Sequence, residues 1–187
     1  AKEAMTVDTI FDLASMTKCV ATATSVMTLV EEGKVRLNDP VTAYLPEFAR
    51  NGKENITIRQ LLTHFSGLRE DLDLKTQWNG RDAAYRMAMD SQPAFPPGSR
   101  FLYSDINFET LGFLVEKVSG LTLDAYAAKY VFEPLAMKDT RFTPPAQWRP
   151  RIAPTQYDES HQMLRGTVHD PTARRMGGVA GHAGLFS

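Results

Sequence analysis

The sequence predicts an α+β chain that is mainly helical, with very little sheet. Three observations carry this expectation. Apolar residues recur at helical spacing in several segments separated by turn signals. Only two stretches, TIFDL (9–13) and RFLY (100–103), read as strands. Between 143 and 172, Pro144, Pro145, Pro150, Pro154 and Pro171 forbid long elements, so that segment is expected to be irregular.

The first helix is expected to start near Ser15 and run to Glu32, with Gly33 as its C-terminal stop. Val20, Thr24, Met27 and Val30 give its mostly apolar stripe. NDPVTAYLPEF (38–48) reads as a turn, a short helical piece and another stop. Thr57 followed by Gln60 is a capping-box signature ahead of Leu61 and Leu62. Residues 66–80 are polar and irregular, and 81–89 suit a short helix. After the breaker PAFPPGSR, the residues Phe108, Leu111, Val115 and Val118 keep a helical period that closes at Gly120. Thr122 caps a further helix to about Phe132. The end, RMGGVAGHAGLFS, is Gly-rich and lacks the strand-then-helix setting of a nucleotide fingerprint.

The composition, 43% hydrophobic and 23% charged in 187 residues, suits one globular domain with a core. A formal net charge of -1 supplies no basic field for nucleic acid or anionic lipid. No apolar run reaches the ~20 residues of a membrane span. AKEAMTVDTI does not have the pattern of a signal peptide. One cysteine excludes an internal disulfide; Cys19, at an apolar helix position, reads as packing. His161, His169 and His182 lack tight metal-ligand spacing, and neither metal nor organic cofactor is expected.

The chemistry is concentrated in two places. In FDLASMTKCV, Ser15 and Lys18 stand three apart at a helix start, within about 60° of one face. A serine there has backbone N–H groups and the positive helix end nearby, and a desolvated lysine one turn on can act as base. The pair is equally readable as a Ser N-cap followed by a solvated Lys. Tyr103-Ser104-Asp105 lies at a break between an extended stretch and a helix, where a phenol can relay protons; it is also readable as an ordinary helix start. Together the two motifs suggest a serine nucleophile, a lysine and a tyrosine relay. His64, between a short helix and Ser66-Gly67, reads as a loop brace.

Four stretches, 9–48, 56–68, 96–120 and 131–142, resemble the serine β-lactamase and penicillin-binding-protein superfamily in its class C-like and esterase branch, in that family's order. The resemblance places the family's S-x-x-K on Ser15 and Lys18 and its Y-x-N on Tyr103-Ser104-Asp105, with Asp in the third position. An ionised carboxylate only accepts hydrogen bonds, whereas Asn also donates, so Asp105 is the departure that bears on substrate contact. The resemblance implies Ser15, Lys18 and Tyr103 as catalytic, with Asp105 and His182 as substrate contacts. His182 in GHAG is a candidate for the family's third motif, although its glycines read better as a loop ahead of a later helix than as a strand.

The implied function is a serine hydrolase forming an acyl-enzyme on an ester, a β-lactam or a D-amino-acid peptide. The rivals are a non-catalytic binding module for penicillin or cell-wall peptide, and a helical interaction protein in which the three side chains never meet. The implied fold is the helical region of the β-lactamase/transpeptidase-like domain. Residues 1–187 are expected to be a partial domain, most of its antiparallel sheet lying elsewhere. The expected partners are a small-molecule or peptide substrate and the remainder of the domain. The implied setting is bacterial and extracytoplasmic.

Overall fold

The computed structural model describes residues 3–158 and 160–187. A π-helical run, Lys18–Ala23, continues directly into helix α1, Thr24–Glu31. Thr24 Oγ1 donates to the Cys19 carbonyl five residues back, 2.8 Å away, a contact suited to the wider turn. Two 3₁₀ turns follow, Val41–Ala43 and Pro46–Phe48. Helix α2, Ile58–Leu62, has the expected capping box: the Gln60 N–H donates to Thr57 Oγ1 at 3.2 Å, and the Thr57 N–H donates to Gln60 Oε1 at 2.9 Å. Helix α3 is Arg81–Asp90.

Helix α4, Asp105–Ser119, is the centre of the molecule. It is buried continuously from Ile106 to Val115 and ends on Gly120 in the left-handed region. An all-round buried helix needs neighbours on every side; α1, α2, α3 and α5 all pack on it. Helix α5, Leu123–Ala127, passes into a second π-helical run, Ala128–Phe132. The short helix α6 is Pro171–Arg175.

The sheet is minimal. Strand β1, Arg141–Phe142, pairs antiparallel with strand β2, Leu185–Phe186, in the register Arg141 with Phe186 and Phe142 with Leu185. TIFDL runs along the other side of β2: Phe11 and Ser187 exchange two backbone hydrogen bonds, and the Leu13 N–H donates to the Leu185 carbonyl. RFLY is not a strand. Its backbone is clamped to a loop instead, the Leu102 N–H donating to the His64 carbonyl at 2.9 Å. Among the described residues of 143–172, the chain is irregular apart from one 3₁₀ stretch, Ala146–Arg151, and the first turn of α6. Cys19 is exposed rather than packed.

Candidate active site

Ser15 is presented by a sharp turn. Ala14 takes φ 46°, a left-handed conformation that alanine rarely adopts, and its N–H donates to Asp12 Oδ1 at 2.8 Å. The other Asp12 oxygen accepts from the His169 N–H at 2.7 Å. This brace ends the extended TIFDL segment and turns the chain into the helix, leaving Ser15 exposed at its head. Lys18, one turn on, is almost fully buried. Its ammonium lies 3.0 Å from Ser15 Oγ, 3.1 Å from the His182 carbonyl and 2.6 Å from Asp105 Oδ1. The first two are hydrogen bonds and the third is an ion pair.

The Tyr103-Ser104-Asp105 segment is fixed by the loop after α2. The Ser104 N–H donates to His64 Nδ1 at 3.0 Å, Ser104 Oγ donates to the Arg69 carbonyl at 2.5 Å, and the Asp105 N–H donates to the Glu70 carbonyl at 2.6 Å. Tyr103 stacks on the His64 ring, with centroids 4.5 Å apart, and remains partly open to solvent. Lys18 Nζ lies 4.8 Å from the Tyr103 ring centroid, within cation–π range. Burial holds the His64 pKa below the ordinary histidine value, and the Lys18 charge pushes the same way. His64 is therefore a neutral brace, its Nδ1 lone pair engaged by Ser104.

The C-terminal loop closes the far side. Thr22 Oγ1 donates to the Gly181 carbonyl at 2.6 Å. A Cβ on Gly181 would lie 1.9 Å from the Phe108 carbonyl oxygen, so only glycine permits this approach to α4. That approach brings the next carbonyl, of His182, onto Lys18. The His182 side chain, expected as a substrate contact, is only 1% exposed and points into the protein. Its Nε2 lies 2.9 Å from Asp170 Oδ1 and its Nδ1 lies 3.5 Å from Glu109 Oε1. It sits in a bend ahead of β2, whereas the expected successor was a helix.

Asp170 and Glu109 escaped the sequence reading. Asp170 caps α6 by accepting from the Ala173 N–H, and an Asp-Pro pair opening a helix was the available signal. Glu109 lies one turn after Asp105 in the continuously buried stretch of α4, where an acid is an anomaly. Burial pushes the Glu109 carboxyl up to about 8. Burial opposes charge on His182 too, but the Asp170 hydrogen bond and the Glu109 charge hold its pKa above the ordinary value. Burial pushes the Asp170 carboxyl up, but the His182 hydrogen bond and charge, the Ala173 N–H and the Lys18 charge together hold it below the ordinary value. Ligand atoms of Asp105, Asp170 and His182 lie within 4.8 Å of one another. The protein's own cations already meet these carboxylates, Lys18 on Asp105 and His182 on Asp170, and no metal is assigned to them. His161 and His169 are not part of this group.

The structure thus brings Ser15, Lys18, Tyr103 and Asp105 together, on a helical layer whose nucleophile helix packs against α4. The four side chains form one cluster centred on the Lys18 ammonium. The profile of the Beta-lactamase family matches residues 1–187, and the chain belongs to that family. A curated protein from Salmonella agona (strain SL483), described as "Putative D-alanyl-D-alanine carboxypeptidase", is 33% identical over 214 residues, covering 97% of this chain and 49% of that protein. The chain therefore spans about half the length of the curated relatives it matches. Among solved structures, it resembles FmtA from Staphylococcus aureus (TM-score 0.76, 24% identity, 96% of this chain and 48% of that one). It also resembles a class C beta lactamase from Rhodobacter sphaeroides (TM-score 0.78, 22% identity, 99% of this chain and 50% of that one). These structural likenesses establish the fold: the chain has the helical region of the β-lactamase fold.

Proposed function

We propose that this chain carries the nucleophile of a serine hydrolase that works through an acyl-enzyme, with Ser15 as nucleophile and Lys18 and Tyr103 handling protons. The observation that carries the reading is the 3.0 Å contact of Lys18 Nζ with Ser15 Oγ, made by a buried ammonium packed against the Tyr103 ring. Lys18 Nζ holds the serine by donating to its Oγ. Asp105, 2.6 Å away, is placed to take one ammonium proton. Neutral Lys18 then accepts the Ser15 hydroxyl proton as Oγ bonds to the substrate carbonyl carbon. Collapse of the tetrahedral adduct breaks the bond to the leaving group, which takes a proton from Tyr103. Water attacks the acyl-Ser15 ester by the reverse proton path and releases the acid.

The substrate is a small carbonyl compound or peptide: an ester, a β-lactam or a peptide ending in D-alanine. The names of the Salmonella relatives favour the peptide. Asp105 is directed at Lys18, so it acts on the lysine's proton and no longer stands as the simplest substrate contact. Turnover of an activated ester, a penicillin and a D-alanyl-D-alanine peptide by the protein at its full natural length tests the reading. Ser15→Ala is expected to lower every active rate by at least about 10³-fold. Wild-type turnover by that variant would refute the mechanism.

A further inference from the structure

Behind Lys18 lies a second set of ionisable groups that the acyl-transfer steps do not use. Glu109 is fully buried on α4, His182 is almost fully buried on the C-terminal loop, and Asp170 stands at the start of α6. Three separate parts of the chain thus converge on one imidazole. Its Nε2 is bound to Asp170 at 2.9 Å, and its Nδ1 faces Glu109 at 3.5 Å. Among the described residues, neither Glu109 oxygen nor His182 Nδ1 has a hydrogen-bond partner. A buried carboxyl left that way is costly unless it keeps its proton. The backbone of the same histidine supplies one of the two hydrogen-bond acceptors of Lys18, at 3.1 Å. The imidazole anchor and the lysine contact are therefore one residue.

We propose that Glu109, His182 and Asp170 form a buried positioning unit. It fixes the His182 carbonyl on the Lys18 ammonium and, by gaining or losing a proton on Glu109, alters how tightly Lys18 holds its own. The inference rests on the acyl-enzyme reading for its effect on rate. The groups facing Glu109 are His182 from the C-terminal loop, Asp71 from the loop after α2, Asp105 from its own helix and Asp170 from ahead of α6. Asp71 is itself raised by burial and accepts from Thr172 Oγ1 at 3.1 Å. Lys18 and His182 thus sit among four carboxyls, and burial makes Glu109 the one that keeps its proton most readily. Its carboxyl loses the proton near pH 8. Above that pH the unit gains a negative charge, the Lys18 cation is favoured, and the free-base form needed to take the Ser15 proton becomes rarer. Glutamine at 109 has nearly the same shape and never gains that charge.

The test compares the pH dependence of Ser15 acylation by an activated ester in wild-type protein and Glu109→Gln, both at full natural length. The ratio of variant to wild-type rate is expected to rise between pH 6 and pH 9 by about three- to tenfold. A ratio that stays constant with pH overturns the proposal, because a merely structural effect scales the rate equally at every pH. NMR of the Lys18 Nζ in unacylated wild-type protein supplies a second measurement, independent of whether the variant folds. The Lys18 signal is expected to shift in a step near pH 8, and its remaining flat also overturns the proposal. Absence of acylation at any pH, with that NMR step present, would sink the acyl-enzyme reading and leave the buried unit standing. Acylation with a constant ratio would do the reverse.

Discussion

Lys18 is the residue on which the site depends. It is buried, yet it donates to Ser15 Oγ and the His182 carbonyl and pairs with the Asp105 carboxylate, and such partners are the condition under which a charge is tolerated inside a protein. Tyr103 has two separable parts: a ring that stacks on His64 and lies beside the ammonium, and a phenol that is open to a substrate. Tyr103→Phe keeps the first and removes the second. Acylation by an activated ester is expected to fall about 10²-fold, with the melting temperature within a few degrees of wild type. Rapid-mixing kinetics and a thermal melt on one preparation check both. An unchanged acylation rate would remove Tyr103 from the proton path. Asp105 was legible as a departure from the Tyr-x-Asn pattern, but its consequence was not. Nothing in the sequence says that the carboxylate turns to Lys18, because that contact depends on how deeply α4 and the nucleophile helix interpenetrate.

At the scale of elements, local signals served well and pairing signals did not. The capping box at Thr57 and Gln60 and the glycine stop at 120 are set by a few neighbouring residues, so a single sequence shows them. Thr57→Ala is expected to cost about 1 kcal/mol by urea denaturation, since it removes one side of that box. Strands are another matter. β1 and β2 are two residues each and 43 residues apart, from Phe142 to Leu185, so their pairing depends on a long-range meeting that no local pattern announces. RFLY has the composition of a strand, but the His64 carbonyl takes the Leu102 N–H that a sheet partner would otherwise use. The glycine-rich tail looked like loop filler. Gly181 is there because the Phe108 carbonyl occupies the space a Cβ needs. Gly181→Ala is predicted to push the loop off α4, withdraw the His182 carbonyl from Lys18 and abolish Ser15 acylation. Full labelling of that variant would contradict this account of how the lysine is held.

For the whole molecule, the buried ionisable groups give stability a direction with pH. Glu109 titrates near its ordinary 4.5 when unfolded and at about 8 when folded. The native state therefore keeps a proton that the unfolded chain has released, and stability falls as pH rises between those values. From pH 6.5 to 8 this amounts to about 2 kcal/mol. His182, with its folded pKa raised, adds to the fall in the same window, because its contribution is complete below the unfolded value and is lost as pH climbs past the folded one. His64, with its folded pKa lowered, acts only as pH falls below about 6.5, where protonation opposes folding. Denaturation midpoints should thus decline from pH 6.5 to 8.5, and Glu109→Gln should flatten that decline. The helical class and the Ser15, Lys18 and Tyr103 trio were readable from the residues because helices and motifs are local. The second buried layer, which joins residues 109, 170 and 182, was not, because only the fold brings those positions together. The central claim is that Ser15 is an activated nucleophile. Intact-mass measurement of the protein and its Ser15→Ala variant, after exposure to an activated ester and to a penicillin, tests it most directly. The account predicts an acyl-sized mass gain with at least one reagent, mapped to Ser15 and absent from the variant. An equal gain in both proteins, or none in either at full natural length, would contradict it.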